Sequence, residues 1–209
     1  MNIDDSIRNY LDEIASSSPT PGGGNVSAFS GAAACSLGIM VCNLTIGKKK
    51  YADVEEEMKD IKFELAVAKE EFLNLAEKDN QAFEKVMESF KLPKDTDEQK
   101  KERSSRIEAA TLGAAEVPAE VLKNCNKLIS LFQSLAEKGN QNSVSDTGVA
   151  ASLISTAAEG AFLNVLINCS SLSNQTVAQE ILKKNEIMLE EVKEQGSAIN
   201  SEIRKKLRK

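Results

Sequence analysis

Apolar positions recur every three to four residues along almost the whole chain, and runs alternating every second residue are missing, which predicts α-helices and no strand. A first amphipathic helix is expected over about Ile3 to Ala15, with Ile3, Ile7, Tyr10, Leu11 and Ile14 on one face. From Val26 to Ile46 no residue carries a charge, and Lys48, Lys49 and Lys50 follow at once. The amphipathic pattern returns over about Asp53 to Phe90, where one stripe reads Ile61, Leu65, Ala68, Phe72, Leu75, Asp79, Ala82, Phe83, Val86 and Phe90. A turn through Leu92-Pro93-Lys94-Asp95-Thr96 leads into a helix of mixed charge from about Asp97, which Pro118 should kink or break near Val117. The next helix should end at Lys138, with Gly139-Asn140 as its C-cap signal. Ser143 to Cys169 carries only Asp146 and Glu159 as charges, and about Asn174 to Leu207 has the alternating charges of a solvated outer helix.

These elements imply an all-α, single-domain helical bundle with two uncharged central helices. A chain of 209 residues is long enough for one well-buried core, and no linker or repeat marks a second domain. The uncharged Val26 to Ile46 stretch also meets the length test for a membrane span. Its dominance by Ala, Ser and Gly, with Asn43 and Thr45 inside, makes insertion marginal and favours the buried centre of a bundle. Ala28, Gly31, Ala32, Cys35 and Gly38 would let neighbouring helices come close there. A net charge of −6 argues against non-specific binding to nucleic acid or to an anionic membrane. The basic tail Arg204-Lys205-Lys206-Leu207-Arg208-Lys209 reads as a helix C-terminus complementing the dipole. Asp4, Asp5, Arg8, Asp12 and Glu13 interrupt any apolar leader at the start, so a cytoplasmic location is expected.

The chain has no histidine, which removes the usual general base and the commonest metal ligand. Acid-base chemistry is left to carboxylates, Lys, Tyr or Cys. Cys35, Cys42, Cys125 and Cys169 form no Cys-x-x-Cys pair and read as buried reduced thiols, so no metal site is expected. Asp79 places a carboxylate in a core-facing slot in the middle of a helix. Burial would raise its pKa and fit it for proton transfer, whereas a drifting stripe would leave it at the edge in a salt bridge. The stretch Pro19-Thr20-Pro21-Gly22-Gly23-Gly24 puts a stiff turn and a bare backbone against a helix start, either as a plain turn or as an anion and substrate cradle. Lys48 to Lys50 read as a C-terminal charge cluster or as an electropositive rim. Asp146 reads as a helix-start residue or as a second catalytic acid. Asn43, Asn164 and Asn168 are amides within apolar helices that must find partners in each other, backbone or a ligand.

Taken together, Ser18-Pro19-Thr20-Pro21-Gly22-Gly23-Gly24, Gly47-Lys48-Lys49-Lys50-Tyr51, Lys78-Asp79-Asn80-Gln81-Ala82-Phe83 and Lys91-Leu92-Pro93-Lys94 resemble the cyclodeaminase/cyclohydrolase family of folate enzymes. Ser145-Asp146 and Phe162-Leu163-Asn164-Val165-Leu166-Ile167-Asn168 extend the resemblance, which runs in order from about Pro19 to Cys169. It departs at Asn25, where a small residue such as Ser is common. The resemblance implies an all-helical homodimer acting on the one-carbon bridge between N5 and N10 of tetrahydrofolate, with no cofactor beyond the folate substrate. It implies the catalytic acid at Asp79, and substrate binding by Pro21, Gly22, Gly23, Gly24, Lys48, Lys50, Asp146 and Asn164. Neither nucleic acid nor membrane is an expected partner. The leading expectation is hydrolysis of 5,10-methenyltetrahydrofolate to 10-formyltetrahydrofolate, because a stand-alone chain without a formiminotransferase partner more resembles that branch. Formiminotetrahydrofolate cyclodeaminase is the alternative reaction, and a non-enzymatic helical interaction module, in which Asp79 only specifies the core, is the alternative of another class.

Overall fold

A computed structural model describes residues 7–208. Six α-helices account for nearly all of them: α1 (Ile7–Ile14), α2 (Gly23–Thr45), α3 (Glu55–Phe90), α4 (Asp97–Lys138), α5 (Val144–Ser170) and α6 (Gln175–Leu207). Two 3-10 segments, Lys49–Val54 and Gln141–Ser143, lead into α3 and α5, and no strand occurs among the described residues. The expected helices are therefore present, with ends moved by a few residues. Ile3, where the first was expected to begin, lies outside the described residues, as do Asp4, Asp5 and Lys209.

The centre of the bundle is α2, packed between α3 and α5 and buried at Ala28, Ala32, Cys35, Val41 and Cys42 among others. Its uncharged composition is accounted for by that position. Both α2 and α5 are long and apolar enough to cross a membrane, and α2 spends the larger share of that surface inside the bundle. All four cysteines are buried free thiols, and burial pushes Cys35 up to about 12 and Cys42 to about 11, far from reactive thiolates.

Seating of α3 on α2 is governed by glycines. A Cβ on Gly31 would stand 2.7 Å from the Phe72 ring, and one on Gly38 would stand 2.6 Å from Leu65 Cδ1. Phe72 and Leu65 are fully buried, so neither can move away. Those rungs, with Gly24 against Asp79, run in opposite directions along the two chains, so α2 and α3 are antiparallel. Helix α5 is antiparallel to α2 as well: Asn164 lies over Gly23, while Asn140, just before α5, donates to Thr45 Oγ1 and to the Leu44 carbonyl at 2.9 and 2.8 Å.

Three expectations need correction. Helix α4 runs unbroken through Pro118, which removes one intrahelical hydrogen bond but not the helix. The carbonyl it frees, that of Ala114, accepts instead from Asn168 Nδ2 at 2.9 Å. Gly139 is the C-cap of α4, as expected, with φ −67°, and its lack of a side chain matters because a Cβ would meet Leu135 O at 2.6 Å. The left-handed glycine is Gly47, with φ 75°. The apolar face expected on α1 is mostly exposed, at Ile7 (69%) and Leu11 (56%). Tyr10 anchors that short helix, donating from its hydroxyl to Asn25 Oδ1 at 2.6 Å with its ring 5.1 Å from that of Phe29. Finally, Asn43 is exposed, so it makes no demand for a buried partner.

Because Phe72 and its neighbours leave no room, Gly31→Ala is expected to destabilise the fold by about 1–3 kcal/mol. Urea unfolding followed by circular dichroism measures this; an unchanged midpoint would contradict the tight α2–α3 contact.

Candidate active site

Asp79 closes the buried stripe of α3. Ile61, Leu65, Ala68, Phe72 and Leu75 are core, but Ala82, Phe83 and Val86 beyond Asp79 are half-buried and line a cavity, and Phe90 is exposed. That cavity, of about 310 Å³, lies where the Pro19–Gly24 turn, α3, α4 and α5 meet. Its wall is Pro19, Thr20, the three glycines, Asp79, Ala82, Phe83, Val86, Ala114, Asn164, Ile167 and Asn168. Asp79 is the one charged residue in it.

The first turn of α2 explains how the carboxylate is held. Its N-cap is Gly22, which has no side chain to satisfy the orphan N–H groups. A Cβ on Gly24 would fall 2.2 Å from Asp79 Oδ1 and 2.7 Å from Oδ2, so the carboxylate lies directly over this turn. The backbone N–H of Asn25 donates to it. Asp79 therefore caps α2 from a different helix. The helix start does cradle an anion, as the glycine turn suggested, but that anion is the protein's own carboxylate.

Burial raises the Asp79 pKa above the ordinary aspartate value, and the Asn25 N–H opposes this only in part. No basic side chain lines the cavity, so the salt bridge that would have depressed it is not part of the wall. Tyr10 is pushed up to about 12 by burial and then by the Asp79 charge. It stays protonated at neutral pH, a hydrogen-bond donor rather than a base, which leaves Asp79 as the group able to move protons. Asn25 links the two: it accepts from Tyr10 and donates from Nδ2 to Ala76 O at 2.7 Å and to Asn80 Oδ1 at 3.3 Å. Asn80, buried beside Asp79, and Tyr10 were not singled out in the sequence, since nothing in their spacing shows that α1 reaches α2.

The remaining candidates divide between the two ends of α2. Gly22, Gly23, Gly24 and Asn164 join Asp79, and Pro21 is buried beneath the turn without lining the cavity. Asn164 Nδ2 donates to Gly160 O at 2.8 Å, and Asn168 Nδ2 to Ala114 O and Asn164 O at 2.9 and 3.0 Å, so backbone supplies the partners these amides required. Lys48 and Lys50 are exposed at the other end, next to Tyr51, whose hydroxyl accepts from the Gln141 N–H at 3.0 Å. Asp146, in the first turn of α5, shares that end. About 32 Å of helix, at 1.5 Å per residue, separates Gly24 from Thr45, so a single chain does not bring the lysines or Asp146 to Asp79. A larger groove of about 780 Å³ between the end of α3 and the start of α4 carries Lys85, Glu88, Glu102, Arg103 and Arg106, but it does not contain Asp79.

Residues 6–186 match the model of the formiminotransferase-cyclodeaminase family. The methenyltetrahydrofolate cyclohydrolase of Methylorubrum extorquens is 40% identical over 95% of this chain and 94% of its own. The formimidoyltransferase-cyclodeaminase of Mus musculus is 29% identical over 94% of this chain, which spans only 36% of that longer protein. The crystal structure of formiminotetrahydrofolate cyclodeaminase from Thermotoga maritima, 35% identical, superposes with a TM-score of 0.82 over 96% of this chain and 98% of that one. A bundle of this topology, with its carboxylate over the glycine turn, thus belongs to the formiminotransferase-cyclodeaminase family.

Proposed function

We propose that this chain hydrolyses 5,10-methenyltetrahydrofolate to 10-formyltetrahydrofolate, with Asp79 carrying the protons. The observation that supports it most is the solitary carboxylate in an otherwise uncharged cavity. In the substrate the bridge carbon belongs to an amidinium cation, and a lone anion at a dry wall attracts such a charge strongly. The cavity is at the small end of the range for ligand pockets, about 300–1,000 Å³. It suits the reacting ring system and leaves the glutamate tail outside.

The chemistry balances on one carboxylate. Water attacks the bridge carbon, its oxygen forms the new C–O bond, and Asp79 takes the proton released. The neutral adduct then expels N5: Asp79 returns its proton to that nitrogen as the C–N5 bond breaks, and the adduct hydroxyl loses its proton to solvent as the formyl C=O forms. The net products are 10-formyltetrahydrofolate and one proton. A carboxyl group held above its usual pKa serves both steps better than a fully ionised one. Neither step asks for metal, flavin or nicotinamide. The proposal includes a cytoplasmic location and a folate as the one small-molecule partner.

Likeness to the T. maritima cyclodeaminase favours a second reading. There N10 attacks the formimino carbon of 5-formiminotetrahydrofolate and ammonia leaves, with Asp79 protonating the departing nitrogen. Both reactions need proton transfer at the same carbon, so they are compatible with one site.

We also propose a homodimer. Helix α5 exposes Val149 (52%), Leu163 (56%) and Ile167 (64%), and α1 exposes Ile7 and Leu11. Apolar surface of this kind on a helix with two charges calls for a covering partner, and a second copy supplies an equally uncharged face.

Loss of the methenyl chromophore and release of ammonia, measured side by side, decide between the reactions; rates no faster than uncatalysed in both would defeat the enzymatic reading. Asp79→Asn is expected to lower kcat by about 10²–10⁴-fold with the fold retained. The same variant carries a stability signature. Since the folded state holds the Asp79 proton at pH values where the unfolded chain has released it, stability falls as pH rises from the ordinary carboxylate range through the raised folded pKa. Asp79→Asn should thus have a higher Tm than the parent at about pH 7, the gap closing below about pH 4. A lower Tm at about pH 7, with the gap closing below about pH 4, would show that the ionised carboxylate stabilises the fold. For the dimer, light scattering should give twice the 22.6 kDa chain mass, and Leu163→Glu should give the single-chain mass.

A further inference from the structure

Asn168 occupies a position whose hydrogen bonds are already committed on one side. Its Nδ2 donates to two backbone carbonyls: Ala114 O on α4 at 2.9 Å and Asn164 O on α5 at 3.0 Å. Both N–H bonds of the amide are therefore used, and rotating the amide by half a turn would set oxygen against oxygen twice. The orientation is fixed by that repulsion. The first of these carbonyls is open only because Pro118, four residues on, has no N–H to offer it. A proline in α4 and an amide in α5 thus make one device, and its outcome is a side-chain carbonyl that no protein donor engages among the described residues, in a residue that lines the Asp79 cavity.

We infer that Asn168 Oδ1 is a substrate-binding acceptor, taking a hydrogen bond from a ring N–H of the reduced pterin. The inference rests on the folate reading above. The chemistry is complementary: the pterin carries N–H donors at its pyrimidinone edge and at N8, Asp79 is occupied by the cationic bridge, and of the wall's other side-chain acceptors, on Thr20, Asn164 and Asn168, the Asn168 oxygen is the one whose amide has both N–H bonds committed to backbone. A locked acceptor discriminates well, because a ring lacking the donor would cover that oxygen without pairing it.

Bracing of α4 is the competing role for the same amide, and a double-mutant cycle with Pro118→Ala separates the two. Alanine at 118 restores the backbone N–H and so satisfies Ala114 O without Asn168. With 5,10-methenyltetrahydrofolate as the probe, Asn168→Leu is expected to raise KM about tenfold with kcat within about threefold, and by the same factor in the Pro118→Ala background. A KM unchanged by Asn168→Leu, or a rise that disappears beside Pro118→Ala, would overturn the assignment while leaving the enzyme reading intact. Parent protein inactive on both folates would overturn both. Should Asn168→Leu alone not fold, the comparison of Pro118→Ala with the double variant carries the measurement.

Discussion

Gly24, Gly31 and Gly38 stand seven residues apart on α2 and face Asp79, Phe72 and Leu65, also seven apart, on the antiparallel α3. Two rungs of this ladder are apolar and build the core; the third has the same close approach but ends in a carboxylate. Because each glycine removes the Cβ that would hold α3 away, the spacing fixed by the two buried rungs is imposed on the third. Asp79 is thereby pressed onto the first turn of α2 by packing elsewhere in the interface. Its placement does not depend on a flexible side chain finding a partner, which is the kind of support a catalytic group needs.

The electrostatics follow from that seating. A carboxylate on a helix start would ordinarily be held well ionised by several N–H groups and the dipole, and a neighbouring lysine would lower its pKa further. Here one N–H, from Asn25, opposes a larger desolvation effect, and the surrounding wall is Gly, Ala, Phe, Val, Ile and amide. The balance leaves the group willing to hold a proton. In the proposed reaction, stability and chemistry pull in opposite directions at this position: the environment that costs the fold something when Asp79 ionises is the one that would let it act as both acceptor and donor.

Most of the architecture was legible in the chain because helical periodicity is a local property. The uncharged stretches over α2 and α5, the Asp79 interruption of the α3 stripe and the ends near Phe90 and Lys138 all come from residues within a few turns of each other. The chain is less legible where a distant contact decides the outcome. Pro118 predicts a kink or break because its compensating donor, Asn168, is fifty residues away in sequence. Periodicity places Ile7 and Leu11 on one face of α1 but does not show whether a partner covers it. Lys48 and Lys50 were grouped with the glycine turn by their motifs, although a 23-residue helix stands between them and the cavity. The seven-residue glycine spacing, by contrast, was present in the sequence and would have pointed to a close antiparallel partner.

Asn25 shows how the wall tolerates change. It stands where the resemblance leads one to expect a small residue, yet it does not line the cavity. Its side chain points instead into a buried polar cluster, where Tyr10, the Ala76 carbonyl and Asn80 satisfy it, while its backbone N–H, which any residue but proline would supply, serves Asp79. The two functions of this residue are separable because one belongs to the side chain and the other to the main chain. A larger side chain here therefore changes how α1 is attached, through Tyr10, and leaves the carboxylate's hydrogen bond as it was. That division assigns the first turn of α2 two faces: a bare glycine face against Asp79 and the cavity, and an amide face that builds a local anchor for α1.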